Sequence, residues 1–111
     1  MFHVDTKDIL SILNDFYGTS YTNLYEALPA LFPEGTGPTS FNHRYFTEDI
    51  PFGLVAISEI AKKAGVEIPY TDSLIEVASL LSTKDYRKEG VNLKNITFEE
   101  LSSYGELAVE I

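Results

Sequence analysis

Apolar residues recur at helical spacing along most of the chain, and the breaks between the periodic runs carry the residues that start and stop helices. Asp5 or Thr6 can cap a first helix in which Ile9, Leu10, Ile12, Leu13 and Phe16 are apolar. Lys7, Asp8, Asn14 and Asp15 then face outward, and Gly18 provides the stop. A second helix is predicted from about Thr22 to Phe32, with Leu24, Tyr25, Leu28 and Leu31 on one face and Pro29 able to kink or shorten it. Residues 33–42 collect Pro, Gly and small polar side chains and read as a loop.

The third predicted helix is the longest. Thr47 is a good N-cap, Glu48 and Asp49 suit the first turn, and Pro51 falls close to where proline is tolerated. Ile50, Leu54, Ile57 and Ala61 continue the apolar face as far as Gly65. After the extended link Val66-Glu67-Ile68-Pro69, Thr71 is predicted to cap a helix whose Leu74, Ile75, Val77, Ala78, Leu80 and Leu81 leave little polar surface. Such a helix is expected to be central and buried. A short polar turn of helix is predicted around 83–90, and Thr97-Phe98-Glu99-Glu100 is a capping box for a terminal helix towards Leu107. No alternating strand pattern, repeat or low-complexity segment occurs. The expected fold is all-α, a compact bundle of about five to six helices forming one domain over residues 1–111.

Composition narrows the function classes. With 44% hydrophobic residues, 111 residues suffice for one core. Seventeen acidic against eight basic residues give a formal charge of −9, which repels phosphate backbones and anionic lipid surfaces, so neither nucleic acid nor a membrane is an expected partner. The absence of cysteine removes disulfides and thiolate metal sites and is compatible with a reducing cytoplasm, the expected location. No leader pattern and no apolar run of roughly 20 residues is present.

The candidate chemistry lies in His43-Arg44-Tyr45-Phe46-Thr47-Glu48-Asp49-Ile50-Pro51. Arg44 is the only Lys or Arg between Lys7 and Lys62, an interval that holds seven acidic residues. An isolated guanidinium in the loop that enters the Thr47 helix, with the Asp49 carboxylate at the helix mouth, suits a specific anionic target. The plainer alternative is a helix cap with one surface ion pair, which contributes little energy. Other chemistries lack their residues. His3 and His43 are the only histidines, too few for a His-rich metal site. No Gly-x-Ser-x-Gly elbow occurs, and Gly35-Thr36-Gly37 lacks the third glycine and the strand-to-helix context of a dinucleotide fingerprint. Among the tyrosines and phenylalanines, only Tyr45 adjoins Arg44.

The run from Gly37 to Val55, with its His43-Arg44-Tyr45 and Asp49-Ile50-Pro51 core, resembles the signature of the helical domain of the NAD/NADP octopine/nopaline (opine) dehydrogenases. Ala64-Gly65-Val66, Ile68-Pro69, Asp72-Ser73-Leu74-Ile75, Ala78-Ser79, Asp85-Tyr86 and Gly90 continue the likeness in order, from about Leu24 to Phe98. Enzymes of that family couple an α-keto acid to the amine of an amino acid using NADH or NADPH, and they join a Rossmann domain to a helical substrate domain. The resemblance therefore implies catalytic roles for Arg44 and Asp49; Arg44 and Tyr45 are the candidate substrate-binding residues, and the residues present lead to no expected metal site.

In the family the two residues act with a histidine that donates and accepts the proton. That histidine lies upstream of the matching region, so His43 is a different position and is not assigned as the base. The resemblance further implies that NAD or NADP binds outside this chain, on a Rossmann domain supplied in cis or in trans, and that the isolated chain is inactive. A homodimer is expected because apolar surface of a partial domain favours association. The competing class is a small acidic helical interaction or oligomerisation module without enzymatic activity, in which Arg44 and Asp49 pin a loop to a helix.

Overall fold

A computed structural model describes residues 5–109, and the side chains of the last helix as far as Gly105. The described residues are helical and irregular, with no strand. The chain divides into two compact units, Met1–Gly37 and Pro38–Ile111.

The first unit holds α1 (Ile9–Tyr17) and α2 (Leu24–Leu31). Asp8, rather than Asp5 or Thr6, caps α1. Its carboxylate accepts from the Ser11 amide at 3.0 Å and from the Ser11 hydroxyl at 2.6 Å, a fit that a cap three residues ahead of its donor provides. Gly18 ends α1 in the left-handed region, as predicted. Asn14 does not face solvent. Its side chain accepts from the Thr19 hydroxyl and the Tyr21 amide, each at 2.9 Å, and donates to the Tyr21 carbonyl at 2.8 Å, closing the turn into α2. Asn23 caps α2, and the helix ends two residues after Pro29. Tyr17 and Phe32 meet edge to face at 5.7 Å.

The second unit departs from the predicted long helix. Instead of starting at Thr47, the chain forms a four-residue helix α3 (Arg44–Thr47) capped by His43, whose Nδ1 accepts from the Tyr45 amide at 3.3 Å. Thr47 is the last residue of α3, and Glu48 leaves regular helix geometry at φ −119°. A π-helical segment follows over Asp49–Leu54 and runs directly into α4 (Val55–Ala64). Proline explains part of the break, because Pro51 has no amide to continue an α-helical ladder. Gly65 stops α4 in the left-handed region, as predicted.

Helix α5 (Pro69–Ser82) starts at Pro69 rather than after a Thr71 cap, proline being pre-set for the first helical position. It is not buried all round. Ile75 and Ala78 are buried, whereas Leu74, Val77, Leu80 and Leu81 are exposed. Neighbouring elements cover one stripe of a helix whose apolar residues extend beyond it. Helix α6 (Tyr86–Glu89) carries the fully buried Tyr86, and α7 (Phe98–Val109) begins with the predicted reciprocal capping box between Thr97 and Glu100. The core of this unit is Ile50, Val55, Ile75, Ala78 and Tyr86, with Phe46 and Leu54 packed against it. No described helix is long and apolar enough to cross a membrane.

Candidate functional site

Arg44, Tyr45 and Asp49 lie on the interrupted helix that α3 and the π-helical segment make together. His43 fixes its start: as the Nδ1 atom accepts the Tyr45 amide, the imidazole is tied to capping, and its ring packs edge to face on Tyr45 at 4.5 Å. Phe46 turns inward against the core and against Phe41, at 5.0 Å between ring centroids. This leaves Arg44 and Tyr45 exposed between two anchored residues, and Asp49 exposed at the first π-helical position, just before the buried pair Ile50 and Pro51. A π-helical turn inside a helix is frequently found at functional sites.

The two arginines of the chain differ in what holds them. Arg87 is engaged at all three of its nitrogens: Nε donates to Glu76 at 2.7 Å, one terminal nitrogen to the Ser58 hydroxyl at 3.0 Å, and the other to Asp72 at 2.9 Å. Ser58, buried on α4, in turn donates to Asp72 at 2.6 Å. These bonds join α4, α5 and α6. They hold the Asp72 carboxyl below the usual carboxylate range, first through the Ser58 hydroxyl and then through Arg87. Arg87 is pushed above its ordinary value, first by Glu76 and then by Asp72. Arg44, by contrast, makes no ion pair or side-chain hydrogen bond with any described residue, Asp49 included. An exposed guanidinium with no side-chain partner among the described residues can take a carboxylate in two-point fashion.

Two grooves, of about 560 and 440 Å³, flank the Arg87 network, and none of Arg44, Tyr45 and Asp49 lines either. At the larger groove each Arg87 nitrogen already donates, to Glu76, Ser58 or Asp72. Nothing in the spacing of Ser58, Asp72, Glu76 and Arg87 marks the network in advance. The one local signal is the pair of carboxylates one turn apart on α5, which calls for a cation. Among the described residues no group of three or more His, Asp and Glu side chains could hold a metal ion.

The family described as NAD/NADP octopine/nopaline dehydrogenase, alpha-helical domain, matches residues 1–82, a range that contains Arg44, Tyr45 and Asp49. The opine dehydrogenase of Arthrobacter sp. (strain 1C) is 33% identical over 107 residues, covering 94% of this chain and 30% of that protein. The octopine dehydrogenase of Pecten maximus is 36% identical over 92 residues, covering 80% of this chain and 22% of that protein. The tauropine dehydrogenase of Arabella iricolor is 45% identical over 53 residues, covering 48% of this chain and 13% of that protein. The chain thus spans under a third of the length of these relatives. No solved structure matches significantly.

Proposed function

This chain belongs to the NAD/NADP octopine/nopaline dehydrogenase family, through that family's alpha-helical domain, and we propose that it is the substrate-facing part of an NAD(P)-dependent enzyme that reductively condenses an α-keto acid with the amine of an amino acid. The observation that carries this reading is the exposed Arg44 guanidinium, unpartnered among the described residues and next in sequence to Tyr45, in a chain whose other guanidinium is bonded through all three nitrogens. Arg44 binds and orients a substrate carboxylate, and the Tyr45 ring flanks it. Asp49 fixes the tautomer of an imidazole contributed from outside the chain and stabilises its cationic form, a recurrent device for general acid–base catalysis.

The described residues do not fit a dinucleotide. They contain no strand, and Gly35-Thr36-Gly37 lies in irregular chain, so the strand-to-helix turn that cradles a pyrophosphate is not built from them. NAD or NADP belongs on a Rossmann part supplied in cis or in trans, and the isolated chain is inactive. The lack of cysteine fits a cytoplasmic enzyme. The exposed residues Tyr70, Leu74, Val77 and Leu81, spaced by four, three and four along α5, support association as a homodimer.

The test is a hybrid in which this chain replaces the matching region of the Arthrobacter relative. Oxidation of NADH or NADPH that requires both a keto acid and an amino acid, and that is absent from the isolated chain, is the expected result. A folded hybrid without such turnover contradicts the proposal.

A further inference from the structure

We propose that Gly90 and Val91, in the turn after α6, are positioning residues for Arg44 and Asp49, acting through the backbone of Pro51. The inference rests on the assignment of Arg44 and Asp49 to the site above. In an unbroken α-helix, two residues five apart project about 140° from one another. The relative aim of Arg44 and Asp49 is therefore not set by regular helix geometry. It is set by the break at Glu48 and by the π-helical turn that follows, and whatever holds that turn holds the site.

The turn has a specific external support. Within it the Val55 amide donates to the Ile50 carbonyl, five residues back, and so passes over the Pro51 carbonyl that an α-helix would have used. That carbonyl instead accepts the Val91 amide at 3.2 Å, from forty residues further along the chain. Pro51 itself is fully buried, where an unpaired carbonyl would carry a desolvation cost. The two features complete each other: the π-helical turn frees an acceptor, and Val91 supplies the donor.

Gly90 makes this contact sterically feasible. A Cβ at position 90 would lie 2.2 Å from the Pro51 oxygen and 2.9 Å from the Tyr86 oxygen, both backbone atoms with little room to yield. The requirement is close approach and not backbone conformation, since φ is −83°. The Gly90 amide donates to the Tyr86 carbonyl at 2.9 Å, and Tyr86 is fully buried in the cluster that also contains Ile50. A continuous connection thus runs from the core through Tyr86 and Gly90 to Pro51, two residues after Asp49.

The test is Gly90→Ala in the isolated chain, followed by amide NMR. The amide shifts of residues 44–55 should move and the Val55 and Val91 amides should exchange faster, while Ile75→Val, which loosens the same core elsewhere, should leave the shifts of residues 44–49 in place. Unchanged shifts at Arg44 and Asp49 in a folded Gly90→Ala chain would overturn the inference. The unmodified chain gives an independent reading, because its Val91 amide must be protected as well as that of Val55, and a freely exchanging Val91 amide also overturns it. In the hybrid enzyme, Gly90→Ala should lower kcat by on the order of 10²-fold with a smaller change in KM, the pattern of misplaced machinery. If Arg44→Ala leaves hybrid turnover intact, the site assignment fails while the backbone coupling measured by NMR still stands or falls by itself.

Discussion

The Ser58 hydroxyl donates to the Asp72 carboxylate at 2.6 Å while accepting a hydrogen bond from Arg87 at 3.0 Å, so one buried serine bonds to both members of a direct ion pair and the three residues tie three helices together. A carboxylate stabilised in this way has a folded-state pKa below its unfolded one. Its contribution is complete above the unfolded value, about 3.9, and disappears as pH falls through the lowered folded value. The melting temperature of the chain should therefore exceed that of Asp72→Asn at neutral pH, and the gap should close below roughly pH 4. Thermal melts of both proteins across that range test this, and a gap independent of pH contradicts it.

The Tyr86 hydroxyl is buried with no hydrogen-bond partner among the described residues, although its ring is one of the largest fully buried side chains. Removing an unsatisfied polar atom while keeping the ring should be neutral or stabilising, by up to about 1 kcal/mol. Denaturant unfolding of Tyr86→Phe measures it. A loss of stability would mean that the hydroxyl is satisfied.

Arg44 and Asp49 form no ion pair with each other, and both are exposed. In the isolated chain Arg44→Ala and Asp49→Asn should each leave the melting temperature almost unchanged, since surface substitutions away from packed or paired features have small effects. A clear drop for either variant would restore a structural role.

Much of this arrangement is legible in the sequence, and the failures share a cause. Gly18, Gly65 and the Thr97–Glu100 capping box are local signals, read within a turn of the residues they govern, and each does what its neighbours imply. The π-helical turn is not local. Pro51 reads as a first-turn proline, and the amide that satisfies its carbonyl belongs to Val91. The α3 cap went to His43 because its Nδ1 reaches the Tyr45 amide, whereas residue preference favoured the Thr47 hydroxyl. In α5, apolar content indicated burial on every side, but only the stripe of Ile75 and Ala78 meets the core. Arg87 gathers partners from two other helices, a convergence that no spacing within one helix expresses. For Arg44, Tyr45 and Asp49, the family likeness supplied roles and the structure supplied their exposed placement along one interrupted helix.

The most direct test of the proposed role is the steady-state rate of the hybrid enzyme carrying Asp49→Asn, with pyruvate as the keto acid and an amino acid the parent relative accepts. Substitution of a carboxylate that orients a proton-transferring imidazole should reduce kcat/KM by on the order of 10²-fold or more, with the protein folded and its melting temperature essentially that of the unmodified hybrid. Near-normal turnover by the Asp49→Asn hybrid would contradict the assignment of this segment as catalytic machinery.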